Sequence, residues 1–367
     1  HGIFNVGSNG SADVKMTGGD IKVTSANNSA EGITTDNASS TSVSGLGNLS
    51  VSGKNESKGI YGGYGTTTAI AMSGDVTVSS TNGDAYGLEA NNGDSNAAKS
   101  TINITGAQIV DVTASNGSAK GLYTYNNALV SGDVAGFKVQ ASGEAAGIES
   151  YAYDAGRYGT VNLSLKSGDI SVVSSNDKAT GIYGNQRATI DINDLGNLTV
   201  SADKTATGIW SVESSNVDVA MSKDLTVTST NGAAYGVNTY YNSTTTLNGA
   251  KNIKVTAASG DAYGFKAGGS KLDTETNGTN IFTGVENLTV TAVSQDTSAY
   301  GVFAGNSSTA SGDIENIVVK APDSNKSAQA AGIYITNASS GDVVVKTITA
   351  EGGYGASAIN SLDGSKT

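Results

Sequence analysis

Apolar residues along this chain fall into two short phrases that return about twelve times, roughly 27 to 29 residues apart. The first is an apolar-x-Val core: Ile21/Val23, Leu49/Val51, Val76/Val78, Phe137/Val139, Ile170/Val172, Leu198/Val200, Leu225/Val227, Ile253/Val255, Leu288/Val290, Ile317/Val319 and Val343/Val345, with Ile109 to Val112 a looser copy. The second follows about ten residues later as Gly plus an apolar residue, from Gly32-Ile33, Gly59-Ile60 and Gly87-Leu88 through Gly181-Ile182 and Gly208-Ile209 to Gly301-Val302 and Gly332-Ile333. Within a period the polarity alternates residue by residue, as in Asp75-Val76-Thr77-Val78-Ser79, which puts apolar side chains on one face of a strand and hydroxyls on the other. A third strand per period is predicted around Ala69 to Met72, Thr101 to Ile104, Val161 to Leu165, Thr189 to Ile192 and Val217 to Val219. Clusters such as Ser80-Thr81-Asn82-Gly83-Asp84 supply the turns, and no segment sustains a helical period.

Three strands and three turns in about 27 residues predict a right-handed parallel β-helix, a β-solenoid of about twelve coils, each hydrogen-bonded to the next at about 4.8 Å. Left-handed hexapeptide helices and calcium-binding nonapeptide rolls need about 18 residues per coil and motifs absent here. The repeat leaves no room for a domain boundary, so residues 1–367 are expected to form a single solenoid. Spacing stretches near residues 91–99, 151–159 and 268–280, where inserted loops are expected.

Composition narrows the picture further. Gly numbers 49, Pro one and Cys none, so disulfides, thiolate metal sites and cysteine nucleophiles are excluded. A formal charge of -12 with scattered Lys and Arg argues against nucleic acid and anionic membrane surfaces. No apolar run approaches the roughly 18 residues of a membrane span, and no signal-peptide pattern opens the chain. Because His1 begins inside a repeat-like phrase, the chain is expected to be a fragment, with any signal peptide or membrane anchor outside it.

Coil length, the Gly/Ser/Thr/Asn/Ala-rich Cys-free composition, acidity and phrases such as Gly196-Asn197-Leu198-Thr199-Val200 make the whole chain resemble the passenger domains of bacterial autotransporters, the type V secretion family. The resemblance implies export across the outer membrane, display at the cell surface, and adhesion, aggregation or biofilm formation. Protease passengers of that family carry a Gly-Asp-Ser-Gly segment and a catalytic His; here the nearest stretch reads Gly93-Asp94-Ser95-Asn96 and His1 is the only His, so the protease branch is set aside.

Aromatic residues flank the repeating Gly in two places. Tyr86, Tyr235, Tyr263, Tyr300 and Tyr354 precede it; Tyr61, Tyr123, Tyr183, Trp210, Phe303 and Tyr334 stand two positions after it. In a regular strand these positions lie on opposite faces, so with the residue after Gly pointing inward the first set packs inward and the second forms an outward ladder for ligand binding or self-association. A bulge at Gly would reverse that assignment. Asp191 and Asp218, also one period apart, are the paired carboxylates that an alternative, a carbohydrate-cleaving enzyme, would need. Positions inside the first phrase, Lys22, Ser50, Thr77, Lys138, Ser171, Thr199, Thr226, Lys254 and Thr289, form a hydroxyl ladder with interspersed Lys, suited to sheet pairing and solubility. Asn48, Asn197, Asn287 and Asn337 begin Asn-x-Ser/Thr triplets, and Gly62-Gly63-Tyr64-Gly65 lacks the Lys and helix of a phosphate loop. No cofactor or metal is implied. The expected function is a non-enzymatic surface adhesin whose partner is a second copy of itself or a host glycan or protein; the alternatives are the enzyme and a passive stalk.

Overall fold

A computed structural model describes residues 1–93, 98–153, 158–268, 277–323, 328–352, 355–362 and 365–366. The stretched spacings near 91–99, 151–159 and 268–280 fall partly outside these residues, and Asp94, Ser95, Asn96 and Tyr354 lie outside them altogether. The described chain is all strand and turn, with every paired strand parallel to its neighbour, and the three predicted strands recur in each coil: the fold is a parallel β-solenoid. It divides into two compact units, His1–Ser175 with Gln186–Leu195, and Asn176–Asn185 with Gly196–Thr367.

In the first unit the Gly-bearing strands, among them Ala30–Asp36, Ser57–Gly63, Ala85–Asn92, Ala119–Asn126 and Ala145–Tyr151, pair in register to make one sheet. The apolar-x-Val phrases stack likewise, Ile21 on Leu49 on Val76 on Val110 on Phe137 on Ile170. The second unit repeats the plan with Gly-bearing strands Ala179–Asn185, Ala206–Ser211, Ala234–Thr239, Ala262–Ala267, Ala299–Ala304 and Gln329–Ile335, and with Leu198 on Leu225 on Ile253 on Leu288 on Ile317. Alternation explains the core: Val76, Val78, Leu198, Val200, Ile253 and Val255 are buried while Thr77, Thr199 and Lys254 between them are exposed, and Leu49, Val51, Leu225 and Val227 are buried likewise. Each fully buried aliphatic side chain contributes about 1.5 to 3 kcal/mol before ordering costs.

Two assignments change in register. The looser copy resolves to Val110 and Val112 facing inward, with Ile109 37% exposed. Val343 and Val345 are not a first phrase: they pair with Gly312 and Ile314, and Ile348 and Ala350 lie beside Ile317 and Val319. Valines alternate on either strand, so the pattern alone did not distinguish them.

Corners carry a second periodic device. After many of the Gly-bearing strands the chain turns through left-handed backbone, at Asn37-Ala38, Tyr64-Gly65, Glu213-Ser214, Tyr241-Asn242, Asn306-Ser307 and Asn337-Ala338. Most of these are not Gly, which is why composition did not reveal them. Carboxamides stitch other corners: Asn252 donates to Asp224 (2.8 Å), Asn287 to Asn252 (2.9 Å) and Asn316 to Asn287 (3.1 Å).

Candidate functional site

The repeating Gly decides which aromatic residues face outward. Cα pairing along the Gly-bearing strands runs Ala206↔Ala234 and Thr207↔Tyr235, skips the Gly, and resumes at Ile209↔Val237 and Trp210↔Asn238. Both Ala206 and Ile209 are buried, so the alternation breaks at Gly208, and the residue before Gly and the residue two after it share the outer face. A Cβ at Gly208 would sit 2.5 Å from the Gly236 carbonyl oxygen and 2.8 Å from Leu225 Cδ1, so close approach of neighbouring backbone excludes any side chain there. The expectation that the preceding aromatics pack inward is therefore corrected: Tyr86, Tyr235, Tyr263 and Tyr300 are half-buried on the outside. Tyr61, Tyr123, Tyr183, Trp210 and Tyr334 are outward and half-buried, as expected of the second set. Phe303 shares their register but is only 5% exposed, because the rings of Tyr263, Tyr300 and Tyr334 pack against it at 5.7, 5.5 and 5.5 Å.

In the first unit these outer positions mix rings with charges. Lys58 Nζ lies 2.9 Å from Glu89 and 3.3 Å from Glu56, and 4.6 Å and 5.6 Å from the ring centres of Tyr61 and Tyr86. Lys120 bonds Glu149 at 2.8 Å and stands 3.9 Å above the Tyr123 ring. Glu89 is only 4% exposed, and burial pushes its carboxyl up, with Lys58 opposing. Burial also works against the Lys58 ammonium, but Glu89 and Glu56 outweigh it and raise its pKa. Burial, reinforced by the same carboxylates, raises the phenols of Tyr61, Tyr86 and Tyr123 well above their usual range. The cations here are spent on carboxylates and ring faces within the unit.

In the second unit the same positions are nearly free of charge, Lys266 being the one charged side chain among them in the described residues. Tyr183 stacks on Trp210 at 4.6 Å, Tyr235 on Tyr263 at 5.3 Å, Tyr263 on Tyr300 at 5.0 Å, and Phe303 on Tyr334 at 5.5 Å. Tyr240, one strand position further out, lies 6.4 Å from Trp210, and Tyr241 meets it edge-on at 4.9 Å from the left-handed corner. Lys266, 7% exposed, has its Nζ 5.5 Å from both the Tyr235 and the Tyr263 ring centres. Burial raises the phenols of Tyr263 and Tyr300. Sequence reasoning missed Tyr240, Asn238 and Lys266; their spacing from the repeating Gly was the available signal.

Asp191 and Asp218 belong one to each unit. Asp191 pairs in register with Asn162 and accepts a hydrogen bond from Asn193 (2.9 Å); Asp218 pairs with Thr246. The hydroxyl ladder faces outward, with Lys138 bonded to Asp111 at 2.9 Å. The carboxamides of Asn48, Asn197, Asn287 and Asn337 all hydrogen-bond to neighbouring coils. No group of three or more His, Asp or Glu side chains gathers at metal-binding distance among the described residues. Comparison with protein-family models, with curated proteins and with solved structures gave no match.

Proposed function

We propose that this protein is a non-enzymatic adhesin of the autotransporter passenger kind, displayed on a bacterial surface, and that it holds a second copy of itself or a host glycan or protein on the outer face of its Gly-bearing sheet. The observation that carries the reading is a pair of ring clusters on the outside of the second unit, Tyr183–Trp210–Tyr240 and Tyr235–Tyr263–Tyr300–Phe303–Tyr334. Half-buried rings offer apolar area with a polar tip at low conformational cost, and a contiguous exposed patch of them is what a recognition face requires. A solenoid suits the role because its stability is close to a sum of coil-on-coil terms, leaving outward positions available for recognition.

The test is display of the chain on a non-aggregating bacterium, scoring clumping and host-cell attachment beside a Tyr183→Ala/Trp210→Ala variant. Clumping only among displaying cells identifies homotypic binding, and attachment without clumping identifies a host ligand. Loss of either in the variant supports the aromatic face. Neither activity in the parent protein overturns the reading.

A further inference from the structure

Within the second unit one part of the aromatic face is built differently from the rest. Residues two and four positions after the Gly form a block three coils deep: Tyr183 and Asn185, Trp210 and Val212, Asn238 and Tyr240. Three polar atoms in this block are out of contact with solvent and have no hydrogen-bond partner: the Trp210 Nε1 donor, and the Asn185 and Asn238 Oδ1 acceptors. Asn238 is only 6% exposed and pairs in register with Trp210. The Asn185 amide nitrogen meanwhile donates to the Tyr183 hydroxyl at 2.8 Å, which aims that side chain along the ring stack. Leaving such a group unpaired is costly, and a strand surface has many ways to avoid that cost with a Thr or Val. Elsewhere on the same face the polar tips are engaged, Tyr263 with Asp261 and Tyr300 with Gln329.

We infer that the Tyr183–Trp210–Asn238 block is a binding site for a neutral sugar unit of a glycan, its indole and phenol rings packing against the sugar's C–H surface while Trp210 Nε1, Asn185 Oδ1 and Asn238 Oδ1 bond its hydroxyls. The inference rests on the adhesin reading and specifies its ligand. One donor and two acceptors beside apolar rings match hydroxyls, which both give and accept. The cation beside the block, Lys266, pairs in register with Asn238 but is only 7% exposed with its Nζ against the Tyr235 and Tyr263 rings, and the net charge of -12 opposes an anionic sugar. The three atoms lie beneath the surface, so the sugar reaches them as the half-buried rings change rotamer, a fast motion for partly exposed side chains.

Trp210 is the only tryptophan of the chain, so its fluorescence reports on this site alone. The experiment titrates the purified protein with tetrasaccharides of glucose, mannose, galactose and N-acetylglucosamine, and with tetragalacturonate as the acidic probe. At least one neutral tetrasaccharide is expected to shift the emission saturably, with tetragalacturonate weaker. Asn238→Ala is expected to weaken the response about tenfold, the equivalent of one lost hydrogen bond, and Lys254→Ala, exposed on the hydroxyl ladder and away from this face, to leave it unchanged. Should Asn238→Ala fail to fold by circular dichroism, Asn185→Ser reads the same contribution. No response to any neutral probe at millimolar concentration overturns the inference, as does an emission change that depends on protein concentration alone, which assigns the block to a second copy. Displaying cells that adhere while the protein ignores every sugar sink this inference and leave the adhesin reading standing; sugar binding without adhesion does the reverse.

Discussion

The two units are built on cores of the same plan and finish the outside of their Gly-bearing strands in opposite ways. In the first, outward positions beside the Gly read Glu31, Lys58, Glu89, Lys120 and Glu149 among their rings, and the cations sit on carboxylates and ring faces. In the second the corresponding positions read Tyr183, Trp210, Tyr235, Asn238, Tyr263, Tyr300, Phe303 and Tyr334, with Lys266 alone for charge. A face whose charges are paired internally has little left for a partner, whereas a face of rings and unpaired amide oxygens has more. The same scaffold thus carries one surface closed on itself and one on which the proposed recognition would act.

The largest expected effect comes from breaking the first unit's seal. Glu89→Gln leaves Lys58 buried without its main counter-charge and is expected to destabilise by about 3 to 5 kcal/mol, while Lys58→Met/Glu89→Leu together fall near neutral. On the second face, Lys266→Met keeps the aliphatic stem over the rings and costs about 1 kcal/mol or less. Denaturant unfolding of the three proteins checks this, and equal losses at Glu89 and Lys266 would erase the contrast.

Next comes a change that should not distinguish the units. Gly59→Ala and Gly208→Ala each drive a Cβ to within 2.5 Å of a neighbouring Gly carbonyl oxygen, and each is expected to cost about 1 to 3 kcal/mol through overpacking. A clear inequality would mean that the cores, and not only the surfaces, differ.

A smaller change in free energy carries the functional contrast. Tyr183→Ala/Trp210→Ala is expected to reduce attachment or clumping about tenfold, or about 1.4 kcal/mol, and Tyr61→Ala/Tyr123→Ala to leave both intact. Scoring the two double variants on displaying cells checks it.

The smallest effect is set by pH. Burial raises the native phenols of Tyr61, Tyr86, Tyr123, Tyr263 and Tyr300, while in the unfolded chain tyrosine titrates near about 10. Above that pH the unfolded chain loses protons that the native state keeps, so stability falls as pH rises past about 10 and is insensitive to these groups below it. Unfolding midpoints measured on either side of pH 10, with phenolate absorbance in parallel, test the sign.

How much of this was legible beforehand differs by element. Apolar-x-Val pairs such as Leu49/Val51 and Leu225/Val227 announced their inward faces because a strand with one buried side has no other way to place them. Val343/Val345 misled because the third strand alternates with the same period. The ladder of Tyr61, Tyr123, Tyr183, Trp210 and Tyr334 was readable as outward, yet its companions Tyr86, Tyr235, Tyr263 and Tyr300 were assigned to the wrong face. The error lay at one residue per coil, where regular alternation was assumed to continue through Gly.

Period, strand count per coil, parallel stacking and the inward aliphatic rows were determined by the sequence itself, because a repeated phrase buries its apolar face only against the next copy of itself. Tertiary structure decided what the outside became. Contact between the Gly backbone and the neighbouring coil breaks the alternation and brings two rows of rings onto one face. Pairing across strands of distant sequence then seals Lys58 against Glu89 in one unit and sets Trp210 beside Asn238 in the other. Those juxtapositions depend on register between coils, which single-strand periodicity does not encode.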